Sequence, residues 1–158
     1  MLFRSAYESI KELATDIREI SHRILPKSLD DGALLNSLNR QIQILNSGKG
    51  NTAVELFAFD FPEKINENWV YDMYLISLEL INNSFKHGKA TAVTLELYGY
   101  PEAYFFQFSD NGIGFNTATV TKGFGLENIE KRILFYNGTF SIESQEQQGT
   151  TVQISLPK

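Results

Sequence analysis

Apolar positions along this chain recur first at helical spacing, then in alternation, and finally in a mixture of the two. Ala6, Ile10, Leu13, Ile17, Ile20 and Ile24 alternate steps of four and three. That is the seam of a heptad helix over about 2–25, which either joins a bundle or dimer or packs on its own domain. Pro26 stops this helix, because it lacks an amide donor and restricts Leu25. After the turn Leu29–Gly32, the positions of Leu34, Leu35, Leu38, Ile42 and Leu45 predict a second helix over 33–46. Gly48-Lys49-Gly50-Asn51 breaks the pattern. The expected division is a helical arm over 1–47 and a domain over 52–158.

Beyond the break, Val54, Leu56 and Ala58 alternate with Glu55, Phe57 and Phe59, the pattern of a strand that Pro62 ends. The longest helical pattern follows over 68–87, with Val70, Met73, Tyr74, Ile76, Ser77, Leu80, Ile81 and Ser84 near one face. Two strands are predicted at 92–98 and 103–109, then a glycine-rich loop and a helix from 126 to 136 that ends at Asn137-Gly138. Residues 139–144 and 150–156 read as the last strands. This order predicts an α+β fold: a two-layer sandwich with a mixed sheet covered by helices on one face, carrying the N-terminal helical arm.

Composition narrows the chemistry. Apolar residues make up 42% of the 158, enough for a core, and the net charge is −5. An acidic chain is a poor general binder of nucleic acid, which needs a basic face. With no cysteine and two histidines, disulfides and zinc sites built from Cys and His are excluded. No apolar run is long enough for a membrane span and nothing resembles a signal peptide, so no membrane contact is expected of this stretch.

Four short segments carry candidate chemistry. In E-L-I-N-N-S-F-K-H, Glu79 and Asn83 stand one helical turn apart with Lys86 three residues on. A carboxylate and an amide oxygen suit Mg²⁺, and a lysine suits phosphate. A solvated helix face would show the same pair. In D-N-G-I-G-F, Asp110 ends a strand, Gly112 and Gly114 permit a tight turn, and Ile113 offers apolar surface. An ionised aspartate only accepts hydrogen bonds, which fits the adenine amino group. A plain β-turn has this composition too. K-G-F-G-L places Lys122, Gly123 and Gly125 before a helix whose N-terminus favours an anion, though the spacing is not that of a P-loop. Gly149-Thr150-Thr151 precedes the terminal strand.

Together these segments resemble the ATP-binding domain shared by sensor histidine kinases, type II topoisomerases, Hsp90 chaperones and the mismatch-repair protein MutL, over about 52–157. The resemblance implies that Asn83 holds Mg²⁺ and that Glu79 orients the nucleophile or takes its proton. It implies that Lys86, Lys122 and the amides of Gly123 and Gly125 face phosphate. Asp110, Ile113, Leu126 and Thr150 would hold the base, with His87 beside it. The short lid over 116–122, the run G-F-G-L-E-N-I-E-K-R-I and the arm I-R-E-I-S-H-R-I-L-P-K-S-L-D-D-G-A-L are similar to histidine kinases of the nitrate-sensor type. The arm resembles the second helix of their dimerisation region. The implied function is the ATP-binding catalytic portion of a two-component kinase, with Mg²⁺ and ATP as cofactors and a response regulator receiver domain as partner. The implied parent is a cytoplasmic or membrane-anchored homodimer whose phosphoacceptor histidine lies on a helix upstream of this chain. Two other readings use the same segments: a serine protein kinase of the anti-sigma-factor type, and a nucleotide-binding module without transfer activity.

His22 imitates an acceptor. S-H-R-I-L-P-K-S-L superficially resembles the phosphoacceptor box of the commoner histidine kinases, S-H-E-L-R-T-P-L, but Arg23 replaces the acidic neighbour and Pro26 comes one residue early. His22 also lies off the seam formed by Ile20 and Ile24. The chain is therefore expected to bind Mg-ATP without phosphorylating itself. Incubation with labelled ATP beside a His22→Gln control checks this; acid-labile label on the parent chain that vanishes in the variant would make His22 the acceptor.

Overall fold

The structure is a computed structural model describing residues 33–48, 51–117 and 124–158. The heptad seam, His22, Lys122 and Gly123 lie outside the described residues. The elements are α1 (Leu34–Asn46), β1 (Ala53–Phe59), α2 (Glu67–Lys86), β2 (Ala92–Gly99), β3 (Ala103–Asp110), α3 (Phe124–Phe135), β4 (Thr139–Ser144) and β5 (Thr150–Pro157). The strands form one five-stranded sheet in the order β1-β2-β3-β5-β4. β1 and β2 run parallel, joined through α2, and the other neighbours are antiparallel. This is the mixed sheet of an α+β fold that the order of patterns predicts.

Strand alternation decides which face meets the helices. On the inner face Leu95, Phe108, Val152 and Ile142 pair across four strands, and the next row is Leu97, Phe106, Ile154 and Phe140. All but Ile142 and Phe140, on the edge strand β4, are buried. The outer face is polar at its centre. Gln107 Nε2 donates to Glu96 Oε2 at 2.7 Å, and Gln153 Nε2 donates to Gln107 Oε1 at 2.9 Å. The helix layer fits the inner face because α2 buries every residue of its predicted stripe, including Ser77 and Ser84. Ile129 and Ile133 of α3 join the same core.

Two long-range ties fix the ends of the layer. α1 packs beside β1 and α2 and adds Leu34, Leu38 and Ile42 to the common core. At its end the Asn46 side chain acts like an added strand on the β1 edge: Nδ2 donates to Val54 O at 2.8 Å and Oδ1 accepts from Val54 N at 2.9 Å. The described part of the expected arm is thus built into the core of the domain. On the other side, Asp72 of α2 accepts from Arg132 Nη1 at 2.5 Å and from the Tyr136 hydroxyl at 2.6 Å. Burial first, then the bond to Asp72, pushes the Tyr136 phenol up to about 12.

Leu38 is fully buried in this shared core. Leu38→Ala should therefore lower the unfolding free energy of the whole domain by about 2–5 kcal/mol in chemical denaturation. A loss below about 0.5 kcal/mol, the usual size of a surface substitution, would mean that α1 is an independent element.

Candidate functional site

The inner-face rows change character at the end of β3. The row beyond Leu95–Phe108–Val152 is Val93, Asp110, Thr150 and Ser144. Alternation therefore puts the Asp110 carboxylate on the same face as Phe106 and Phe108, where the rest of the sheet buries hydrocarbon. Two donors hold it. Ser84 Oγ, from α2, donates to Oδ2 at 2.6 Å, and the Gly112 amide donates to Oδ1 at 2.8 Å.

A cavity of about 560 Å³ opens over this row. One wall is α2, which presents Glu79, Leu80, Asn83 and Ser84, continued by His87 just past its end. The floor is the sheet, with Phe108, Asp110, Ile142, Thr150 and Val152. Gly88, Gly114 and Phe115 close one end, and Gly125 and Leu126 in the first turn of α3 close the other. Among the described residues no lysine or arginine lines the cavity.

At the α3 end, Asn83 Nδ2 donates to Glu79 Oε1 at 3.1 Å, which leaves Asn83 Oδ1 as the amide's acceptor. Gly125 packs close to this pair, since a Cβ there would stand 3.0 Å from Glu79 Oε1. The first turn of α3 has amide groups without helical partners and the positive end of the helix dipole. The cavity thus has an acceptor end at Asp110 and, at the other end, oxygen donors beside a helix N-terminus.

The loops at the acceptor end lock into each other. Gly114 has φ 57°, and a Cβ there would meet Gln145 O at 2.0 Å. Gly149 has φ 78°, and a Cβ there would meet Asp110 O at 2.0 Å. Side chains would fit neither the dihedrals nor the space. Gln147 N donates to Ile113 O at 2.6 Å, and Ile113 N donates to Gly88 O at 2.7 Å. Ser144 Oγ joins the layers: it accepts from Phe115 N at 2.9 Å, donates to Gly149 O at 2.9 Å and lies 3.0 Å from Thr150 Oγ1.

Of the residues singled out in the sequence, Glu79, Asn83, His87, Asp110, Gly114, Gly125, Leu126 and Thr150 come together around one cavity. Gly112 works from behind, through its bond to Asp110. Lys86 is exposed at the end of α2 and does not line the cavity. Ile113 is 40% exposed and takes part through its main chain, and the apolar walls come from Leu80, Phe108, Phe115, Leu126, Ile142 and Val152. Three polar residues have roles that the motifs do not assign. Ser84 and Ser144 hold the acceptor end. Asn111 Oδ1 accepts from the amides of Thr91 and Ala92, each at 2.9 Å, tying the loop to the start of β2. The signal for Ser84 was present in its helical face, which points it at the strand that ends in Asp110.

Residues 71–158 match the model of the histidine kinase-, DNA gyrase B- and HSP90-like ATPases. The chain is similar to the sensor protein VraS of Staphylococcus saprophyticus, 28% identical over 150 residues that cover 94% of this chain and 42% of the relative. With VraS of Staphylococcus epidermidis it is 31% identical over 104 residues, 65% of this chain and 29% of the relative. The chain thus spans less than half the length of these relatives. In fold it is similar to the histidine kinase domain of a blue-light-activated histidine kinase from Erythrobacter litoralis, with TM-score 0.64 at 17% identity over 79% of this chain and 61% of that one. It is also similar to the ATP-binding domain of PrrB from Mycobacterium tuberculosis, with TM-score 0.56 at 21% identity over 75% of this chain and 88% of that one. A family match across more than half of the chain, on the segment that builds the cavity, means that the chain belongs to the histidine kinase-, DNA gyrase B- and HSP90-like ATPase family.

Proposed function

We propose that this chain is the ATP-binding catalytic portion of a two-component sensor histidine kinase of the nitrate-sensor type, comprising a domain over 52–158 and the end of a dimerisation arm over 1–47. α1, packed into the core, would pass arm movements to the domain. In this reading the γ-phosphoryl group of ATP goes to a histidine on an upstream helix, and from there to the receiver domain of a response regulator. The parent protein acts as a homodimer, and this part of it works in the cytoplasm. Among the described residues no helix is long and apolar enough to cross a membrane.

The observation that carries the reading is the pairing of two unlike ends in one cavity. Asp110, held as an acceptor by two donors, fits the amino group of adenine, with Thr150 and His87 lining the cavity near it and Leu126 reaching the base from the α3 end. At the other end Glu79 and Asn83 lie close to Gly125 in the first turn of α3, whose amide end suits phosphate. Lys122 and Gly123, in the segment ahead of α3, and Lys86 at the rim of α2 would add positive charge and amides there.

The donor chemistry fits Mg²⁺. Among the described residues no cluster of three or more His, Asp and Glu forms a metal cage. The cavity instead offers a few hard oxygens, Asn83 Oδ1 foremost, to an ion that takes its other ligands from phosphates and water. When bound, the ion neutralises phosphate charge. Transfer forms a bond from the imidazole nitrogen to the γ-phosphorus and breaks the bond from that phosphorus to the β–γ bridging oxygen, with ADP leaving. Glu79, steadied by Asn83, orients the imidazole and takes the proton it loses.

The decisive experiment mixes this chain with labelled ATP and the upstream helix supplied in trans. Acid-labile label on the helix, as phosphohistidine gives, is the expected result. Acid-stable label would indicate a serine kinase, and ATP binding without any label would make the chain a binding module.

A second outcome concerns the metal. Asn83→Ala should remove the dependence of ATP affinity on Mg²⁺ in calorimetry, because the ion loses its protein ligand. An affinity that still rises with Mg²⁺ as in the parent chain would put the ion elsewhere.

A further inference from the structure

We infer that Ser84 is a positioning and specificity-determining residue: its hydroxyl fixes Asp110 as an acceptor and thereby makes the cavity prefer a purine with an amino group at position 6 over one with a carbonyl there. The inference rests on the nucleotide reading of the cavity.

The observation behind it is a difference among three buried serines. Ser37, Ser77 and Ser84 are the buried polar residues among those described. A buried helical serine has a local solution, donation to the carbonyl four residues earlier. Ser37 takes it, with Oγ to Ala33 O at 3.1 Å, and Ser77 takes it, with Oγ to Met73 O at 2.7 Å. Ser84 instead donates to Asp110 Oδ2, 26 residues away on β3, at 2.6 Å. The short distance is typical of a hydroxyl donating to a charged oxygen.

The chemical consequence follows from counting lone pairs. Ser84 occupies one site on Oδ2 and the Gly112 amide occupies one on Oδ1. Both bonds require Asp110 to accept, and together they fix the plane of the carboxylate. What remains for a ligand is acceptor capacity alone. The 6-amino group of adenine supplies the matching donor, while a 6-carbonyl would set oxygen against oxygen. Without Ser84, one carboxylate oxygen loses its partner, and the group is free to turn.

The test compares ATP with inosine triphosphate, which carries a carbonyl where ATP carries the amino group. Kd values are measured by calorimetry for the whole chain and for Ser84→Ala, Asp110→Asn and the double variant. Ser84→Ala should weaken ATP binding by about tenfold and leave inosine triphosphate binding nearly unchanged, so that discrimination shrinks by the same factor. In the Asp110→Asn background Ser84→Ala should cost little more, the sign that the two residues act as one unit. Ser84→Cys, of similar shape but with a weaker donor, should fall between. A Ser84→Ala chain that folds normally and binds both nucleotides with an unchanged ratio would reduce Ser84 to a packing residue and overturn the inference. Failure of the underlying reading looks different: Asp110→Asn itself would leave the ratio of the two affinities unaltered.

Discussion

The candidate site depends on the two hydrogen bonds that hold the Asp110 carboxylate on the inner face of the sheet. Asp110 is half-buried at the end of a largely apolar face, and its carboxylate needs donors in place of the water it loses there. Ser84 and the Gly112 amide are those donors. They reach Asp110 from two segments, α2 and the loop after β3, so both must be in place for the carboxylate to be held. The bonds from Ile113 N to Gly88 O and from Ala90 N to Ser84 O do that placing. The end of α2, the loop after β3 and the end of β3 thus form one cooperative unit, and its centre is a functional group rather than an apolar one.

Glycine makes that unit compact. At Gly114 and Gly149 the main chain takes left-handed dihedrals and runs against another backbone within the space of a single Cβ. These contacts set the β4–β5 turn on the loop after β3, and they bring Thr150 opposite Asp110 in register. Ser144 then fills the remaining valences of the layer through Phe115, Gly149 and Thr150. The polar end of the sheet becomes a set of mutually satisfied groups, with no buried side-chain nitrogen or oxygen left without a partner among the described residues.

Much of this was legible in the sequence because it is periodic or local. The alternation of Phe106, Phe108 and Asp110 fixes their common face, and the α2 stripe names its buried residues down to Ser84. The D-N-G-I-G-F composition marks a tight loop. What could not be read is what depends on distant segments. Ile113 looks like an apolar wall in the sequence, yet it is 40% exposed and bonded through its main-chain N and O, and Phe108 and Val152, from two different strands, line the cavity instead. Ser144 sits in a polar strand and has no local signature; its role arises from the turn that brings Phe115 within 2.9 Å. α1 precedes a glycine break that in a linear reading separates arm from domain, and the Asn46 side chain reaches across the break to bond Val54 on the β1 edge.

The two ends of the cavity differ in how they are built, and the difference matches what each is asked to do in the proposed reaction. The Asp110 end is made of long-range bonds among partly buried groups, so its geometry is rigid and can distinguish one ring substituent from another. The Glu79–Asn83 end is a single bond between residues one helical turn apart on an exposed face, next to a helix terminus. Water reaches these groups, so they can exchange ligands as a metal ion and phosphates arrive and depart. The first turn of α3 gives this end its shape, while the far end of the same helix is anchored by Asp72 through Arg132 and Tyr136. The helix is thus tied at its C-terminal end to α2, while at its N-terminal end Gly125 packs against Glu79, so in the proposed reaction one helix would link the phosphate end of the cavity to the packed helix layer.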